Sequence, residues 1–176
     1  MLPNIVLIGF MGCGKSSVGR RLAGLTGHRF LDTDDLIAQA EGRSIPEIFA
    51  TEGEAYFRDV EHRVLSEQVG VCGVVLSTGG GLVLRPENRE MLRRLGVVAW
   101  LDADREALFE RATRTGKRPL LQTDDPRATF FHLLDERLSV YREVADFRVD
   151  STNLSHDEAA QSLLDGALRE GRRFEY

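Results

Sequence analysis

Gly9-Phe10-Met11-Gly12-Cys13-Gly14-Lys15-Ser16 fits the pattern G-x-x-x-x-G-K-[ST], and its surroundings constrain the chain even more than the match does. An uninterrupted apolar run, Ile5-Val6-Leu7-Ile8, leads into it. A helix follows from about Lys15, with Val18, Leu22 and Leu25 on one face. Such a loop lets backbone N–H groups converge on phosphate oxygens, and the helix N-terminus adds positive potential. Gly12, Cys13 and Gly14 supply backbone, Lys15 neutralises β- and γ-phosphate charge, and Ser16 can ligate Mg²⁺. Cys13 reads as a small filler whose backbone binds. The competing reading is a thiol whose pKa the helix end lowers.

The rest of the chain alternates short apolar runs with helical patterns, as βαβ units on a parallel sheet do. Strands are expected at Ile5–Ile8, His28–Asp32, Val74–Thr78, Val97–Leu101 and Phe147–Val149. Ser44-Ile45-Pro46-Glu47 and Ser155-His156-Asp157-Glu158 are capping boxes that open helices. Gly53 can end the first of these helices. Gly96 suits the left-handed position after a helix that starts at Pro86. Thr115 to Asp125 breaks the pattern with Gly, Pro and charges and reads as a mobile loop. The expected fold is therefore α/β: one domain over residues 1–176, with a five-stranded parallel sheet flanked by helices. Its site should lie at the C-terminal strand ends.

Composition narrows the function classes. The chain has 176 residues, 42% of them apolar, enough for a real core, and a net charge of -5. That charge argues against nucleic-acid or membrane-surface binding. No apolar run approaches the ~18 residues of a membrane span, and no secretory leader is evident. Two cysteines, Cys13 and Cys72, fit neither a disulfide framework nor a metal motif. A soluble, cytoplasmic protein is expected. No N-K-x-D motif is present for guanine, and the chain is short for a motor, so a small-molecule kinase is the natural class.

A second set of residues follows in order. Asp32-Thr33-Asp34 closes the second strand, with two aspartates placed for a metal and for a substrate hydroxyl. The bland alternative is that they cap the next helix. Arg58 and Glu61 are one helical turn apart, the spacing of an ordinary surface pair. Gly79-Gly80-Gly81 ends a strand where backbone can approach a ligand closely, or is merely flexible. Lys117-Arg118-Pro119-Leu120-Leu121 lies in the loop expected to move, and Arg137 precedes Tyr141 by one helical turn.

Taken in this order, the sequence resembles shikimate kinase. The stretches that carry the resemblance are G-F-M-G-C-G-K-S-S-V-G-R, L-D-T-D, I-F-A-T-E-G-E-A-Y-F-R-D-V-E, S-T-G-G-G, R-P-L-L and E-R-L-S-V-Y-R-E-V-A-D. It spans Ile5 to about Asp150. It implies transfer of the γ-phosphate of ATP to the 3-hydroxyl of shikimate. Arg58 and Arg137 would clamp the carboxylate, and Glu61 would orient Arg58. Asp34 would meet the reacting hydroxyl. Gly79, Gly80 and Gly81 would approach the acceptor, with Phe49 and Phe57 as its apolar wall. Asp32 would face Mg²⁺ together with Ser16, and Arg118 would reach the γ-phosphate from a lid at about 112–125. Arg111 would pack on adenine, with Asn153 and Leu154 on its other side. The acceptor region would be about 33–61, and the protein a monomer in aromatic amino acid biosynthesis.

Cys13 and Ser17 stand where alanine and threonine are commoner, and neither swap removes a needed group. Val97 to Asp102 imitates a strand ending in a metal-binding aspartate, but Asp32 is the better match. Three other readings remain at this point: a gluconate kinase-like enzyme, a nucleoside monophosphate kinase, and an inactive module that keeps the fold.

Overall fold

A computed structural model describes residues 2–114 and 119–171. The elements run β1 (Ile5–Ile8), α1 (Lys15–Thr26), β2 (Arg29–Asp32), α2 (Thr33–Glu41), α3 (Ile45–Thr51), α4 (Gly53–Glu67), β3 (Val74–Ser77), α5 (Pro86–Leu95), β4 (Val97–Asp102), α6 (Arg105–Arg114), α7 (Pro126–Val144), β5 (Phe147–Asp150) and α8 (His156–Gly171). Short 3₁₀ turns occupy Leu82–Leu84 and Pro119–Leu121. The strands form one sheet in the order β2-β3-β1-β4-β5, with every neighbouring pair parallel.

Burial follows from that order. β1, β3 and β4 are buried along their whole length, whereas β2 and β5 lie at the edges and expose residues. Central parallel strands are covered on both faces, so their sequences are continuous apolar runs. From β1 the chain crosses through α1 to β2 on one side, and from β3 through α5 to β4 on the other. The loops after the adjacent strands β1 and β3 therefore diverge and leave a crevice at their C-terminal ends. The phosphate loop and the glycine triplet are those two loops.

Both capping boxes are present. Ser44 accepts from Glu47 N and Ser155 from Glu158 N, and each glutamate reaches back to the serine's N–H. Gly53, at φ +83°, turns the chain directly after α3. Gly96 corrects the expectation made for it. Its backbone is extended (φ 167°), not left-handed. A side chain there would collide with the Asn4 carbonyl, so the glycine serves close packing. Asn4 itself ties three segments together by bonding Val71 O, Leu95 O and Val74 N.

The main core surrounds the sheet. Ile37, Ile48, Phe57, Val60 and Val64 form a second, smaller cluster among α2, α3 and α4.

Candidate active site

The phosphate loop is held open by backbone conformations that a side chain would strain. Gly12 and Gly14 have φ near +90°. Lys15 donates from Nζ to Gly9 O (2.7 Å) and Phe10 O (3.2 Å), closing the loop around its own ammonium. The Cys13 thiol is buried in the main core with Sγ 3.5 Å from Lys15 Nζ, as a filler would be. Ser16 and Ser17 are exposed at the start of α1.

Asp32 does two things at once. Its Oδ1 accepts from Asp34 N and caps α2, while its Oδ2 accepts from Ser16 Oγ at 2.7 Å. The capping reading and the metal-side reading are therefore compatible. Asp102 is elsewhere: Arg148 holds it at 2.8–2.9 Å, and it lines no part of the phosphate-loop cavity. Burial pushes its carboxyl up.

Two cavities meet in the crevice. The larger, about 510 Å³, is lined by Gly12, Gly14, Lys15, Ser16, Ser17, Asp32, Arg111 and Leu154, with Arg114 and His156 at its outer wall. The smaller, about 120 Å³, is lined by Ile45, Phe49, Phe57, Arg58, Glu61, Gly81, Leu120 and Arg137. Met11, Asp34, Gly79 and Gly80 belong to both walls. Arg111 is braced by the carbonyls of Thr152 (3.0 Å) and Ser151 (3.5 Å). Asn153 is exposed and does not line the cavity. Arg118 lies outside the described residues, as does part of the loop expected to move.

The far wall of the small cavity is cationic. Arg58 donates to Glu61 Oε2 (2.9 Å) and Glu54 Oε1 (3.0 Å). Its guanidinium fills the space where a Gly81 side chain would stand. Arg137 is buried, lies over the Phe10 ring, and its Nε has no hydrogen-bond partner. Phe49 and Phe57 pack with ring centroids 4.7 Å apart. A small cavity with two guanidinium groups, one with an unused donor, suits a small carboxylate.

Glu61 is more than a surface partner of Arg58. It is 1% exposed, and its Oε1 is orphaned. Burial pushes its carboxyl up to about 7, opposed by Arg58 and reinforced by the negative charge of Asp34. A raised folded pKa means the folded protein holds this proton more tightly than the unfolded chain between pH 4.5 and 7. Stability conferred by that proton is full below about 4.5 and is lost as pH rises through 7. Glu61→Gln is expected to be more stable than the wild type at pH 8, by up to about 3 kcal/mol, with the difference fading by pH 5. Its KM for the acceptor should rise severalfold, because Arg58 loses its charged tether. Thermal melts at pH 5 and 8 with steady-state kinetics check both.

Two residues to which the sequence assigned no role also shape the site. Thr33 Oγ1 accepts from Gly79 N at 2.9 Å, and Tyr141 Oη donates to Gly80 O at 2.6 Å. Both contacts join segments far apart in the chain, beyond the reach of local patterns. His156 stands in a recognisable capping box, but nothing in that box marks it as cavity lining.

A family description, shikimate kinase, matches residues 11–167. The chain belongs to the shikimate kinase family. It is 42% identical over 163 residues to the shikimate kinase of Thermodesulfovibrio yellowstonii, covering 93% of this chain and 94% of that one. A shikimate kinase from Acinetobacter baumannii, solved in complex with shikimate, superposes with a TM-score of 0.91 at 40% identity. That match covers 99% of this chain and 97% of the other. A gluconokinase from Sinorhizobium meliloti matches with a TM-score of 0.60 at 21% identity, a likeness of fold alone. Family membership thus narrows the three readings left open by the sequence.

Proposed function

We propose that the chain transfers the γ-phosphate of ATP to the 3-hydroxyl of shikimate, giving shikimate 3-phosphate and ADP. The observation that carries this reading is the junction of the two cavities at Asp34, with the phosphate loop on one side and the Arg58–Arg137 wall on the other. ATP would fill the larger cavity, its phosphates on the N–H groups of Gly12 to Ser17 and on Lys15. Shikimate would fill the smaller one, its carboxylate on Arg58 and Arg137. Its ring would lie against Phe49 and Phe57, with Gly79, Gly80 and Gly81 beside it.

Asp34 would hold the reacting hydroxyl in line with the γ-phosphate and take its proton as the new P–O bond forms and the bond to ADP breaks. Phosphoryl transfer has a loose transition state, so placement contributes as much as basicity. Ser16 Oγ and Asp32 Oδ2, 2.7 Å apart, are hard oxygen donors that suit Mg²⁺. Among the described residues no three His, Cys, Asp or Glu side chains form a metal cage, so the cation would depend mainly on phosphate and water. When bound there, Mg²⁺ would neutralise phosphate charge. Arg118 is assigned to the γ-phosphate, and the lid at about 112–125 to water exclusion, by resemblance.

We infer a monomer acting in the cytoplasm, in aromatic amino acid biosynthesis, with the acceptor region at about 33–61 of a single 1–176 domain. Among the described residues, no helix is long and apolar enough to cross a membrane. The test is ADP release from Mg·ATP with shikimate, gluconate or no acceptor. A large shikimate-dependent rate with phosphate on the 3-hydroxyl is expected. ADP release that ignores shikimate, or that follows gluconate, would overturn the reading, and no turnover at all would restore the inactive module.

A further inference from the structure

The carbonyl oxygens of the glycine triplet are all engaged by hydrogen bonds within the protein. Gly79 O accepts from Leu82 N (3.1 Å) and Gly81 O from Leu84 N (3.0 Å), both within the local 3₁₀ turn. No neighbouring backbone group reaches Gly80 O. It is held instead by Tyr141 Oη at 2.6 Å, from a helix 61 residues further along the chain. On the donor side, Gly79 N is taken by Thr33, while the N–H groups of Gly80 and Gly81 have no partner among the described residues. Gly80 and Gly81 line the small cavity, so the turn brings to it two unengaged N–H groups and carbonyls that are all engaged elsewhere.

Glycine peptides flip readily, because both signs of φ are open to them. In a trans peptide Gly80 O and Gly81 N–H point in opposite directions. Releasing Gly80 O would let that peptide turn over, presenting a carbonyl where a donor stood. We propose that Tyr141 is a positioning residue for the reaction, fixing the Gly80–Gly81 peptide so that the turn shows only donors to the acceptor's hydroxyl oxygens. Tyr141 Oη and Arg137 Nη1 both stand within 4 Å of the place a Gly80 side chain would take, so this tie lies beside the clamp. Tyr141 is 1% exposed and packs on Trp100, with ring centroids 5.9 Å apart, which leaves its hydroxyl little freedom. Ordinary packing would need the ring but not the oxygen.

This inference rests on the functional reading above, and the experiment separates the two. Wild type, Tyr141→Phe and a protein with 4-aminophenylalanine at 141 are assayed with Mg·ATP and shikimate. The phenylalanine keeps the ring, and the amino group restores a donor at the same place. Tyr141→Phe is expected to raise KM for shikimate about tenfold, since the half-buried Gly80 carbonyl loses the donor that fixes it. KM for ATP should stay within about twofold. The amino variant should return shikimate KM to near the wild-type value. Unchanged shikimate KM in Tyr141→Phe would overturn the proposal, as would equal rises in both KM values, which mark a general loosening. If the phenylalanine protein does not fold, the amino variant decides: a folded amino protein with a tenfold higher shikimate KM overturns it. A wild type indifferent to shikimate would overturn the functional reading itself.

Discussion

Asp34→Asn is expected to lower turnover on the order of a thousandfold while ATP affinity stays near the wild-type value. Among the described residues Asp34 supplies the carboxylate common to both cavity walls. It sits in the first turn of α2, whose start is fixed by Asp32, so its position depends on a cap rather than on a free loop. Asparagine keeps the size and can still accept a hydrogen bond. It cannot take the proton or carry the charge. The phosphate-loop groups proposed to hold ATP do not include Asp34, so nucleotide binding by calorimetry should hardly change. Near-normal kcat in this variant would remove Asp34 from the chemistry and leave it a spacer.

Arg137→Ala is expected to raise KM for shikimate by on the order of a hundredfold, and Arg58→Ala by less. The difference follows from their surroundings. Arg58 is already paired with Glu54 and Glu61, and its side chain is 21% exposed. Some of its attraction for a carboxylate is spent on those partners, and water competes for the rest. Arg137 is buried with Nε unpartnered, so an incoming carboxylate meets a guanidinium that lacks a full set of acceptors. Steady-state kinetics with shikimate varied at saturating ATP give the ranking. Two variants with wild-type shikimate KM would mean that the carboxylate binds elsewhere.

Several of these features are legible in the sequence alone. The phosphate loop is a local object: its glycines, lysine and serine are adjacent in sequence, and the flanking strand and helix announce themselves by period. The capping boxes at Ser44 and Ser155 are local in the same way. What escaped was set by distance or by burial. The Arg58–Glu61 spacing is the same on a wet surface as in a cavity, so the orphaned Oε1 of Glu61 could not be inferred. The tie from Tyr141 to Gly80 depends on how α7 lies across the sheet. Gly96 failed the local argument because its partner, Asn4, lies near the N-terminus, far away in sequence.

The small cluster of Ile37, Ile48, Phe57, Val60 and Val64 gives the acceptor wall a core of its own, apart from the one around the sheet. Changes there are felt first in α2, α3 and α4. Repacking this lobe would therefore reshape the small cavity, while the strand, loop and helix proposed to hold the nucleotide rest on the other core.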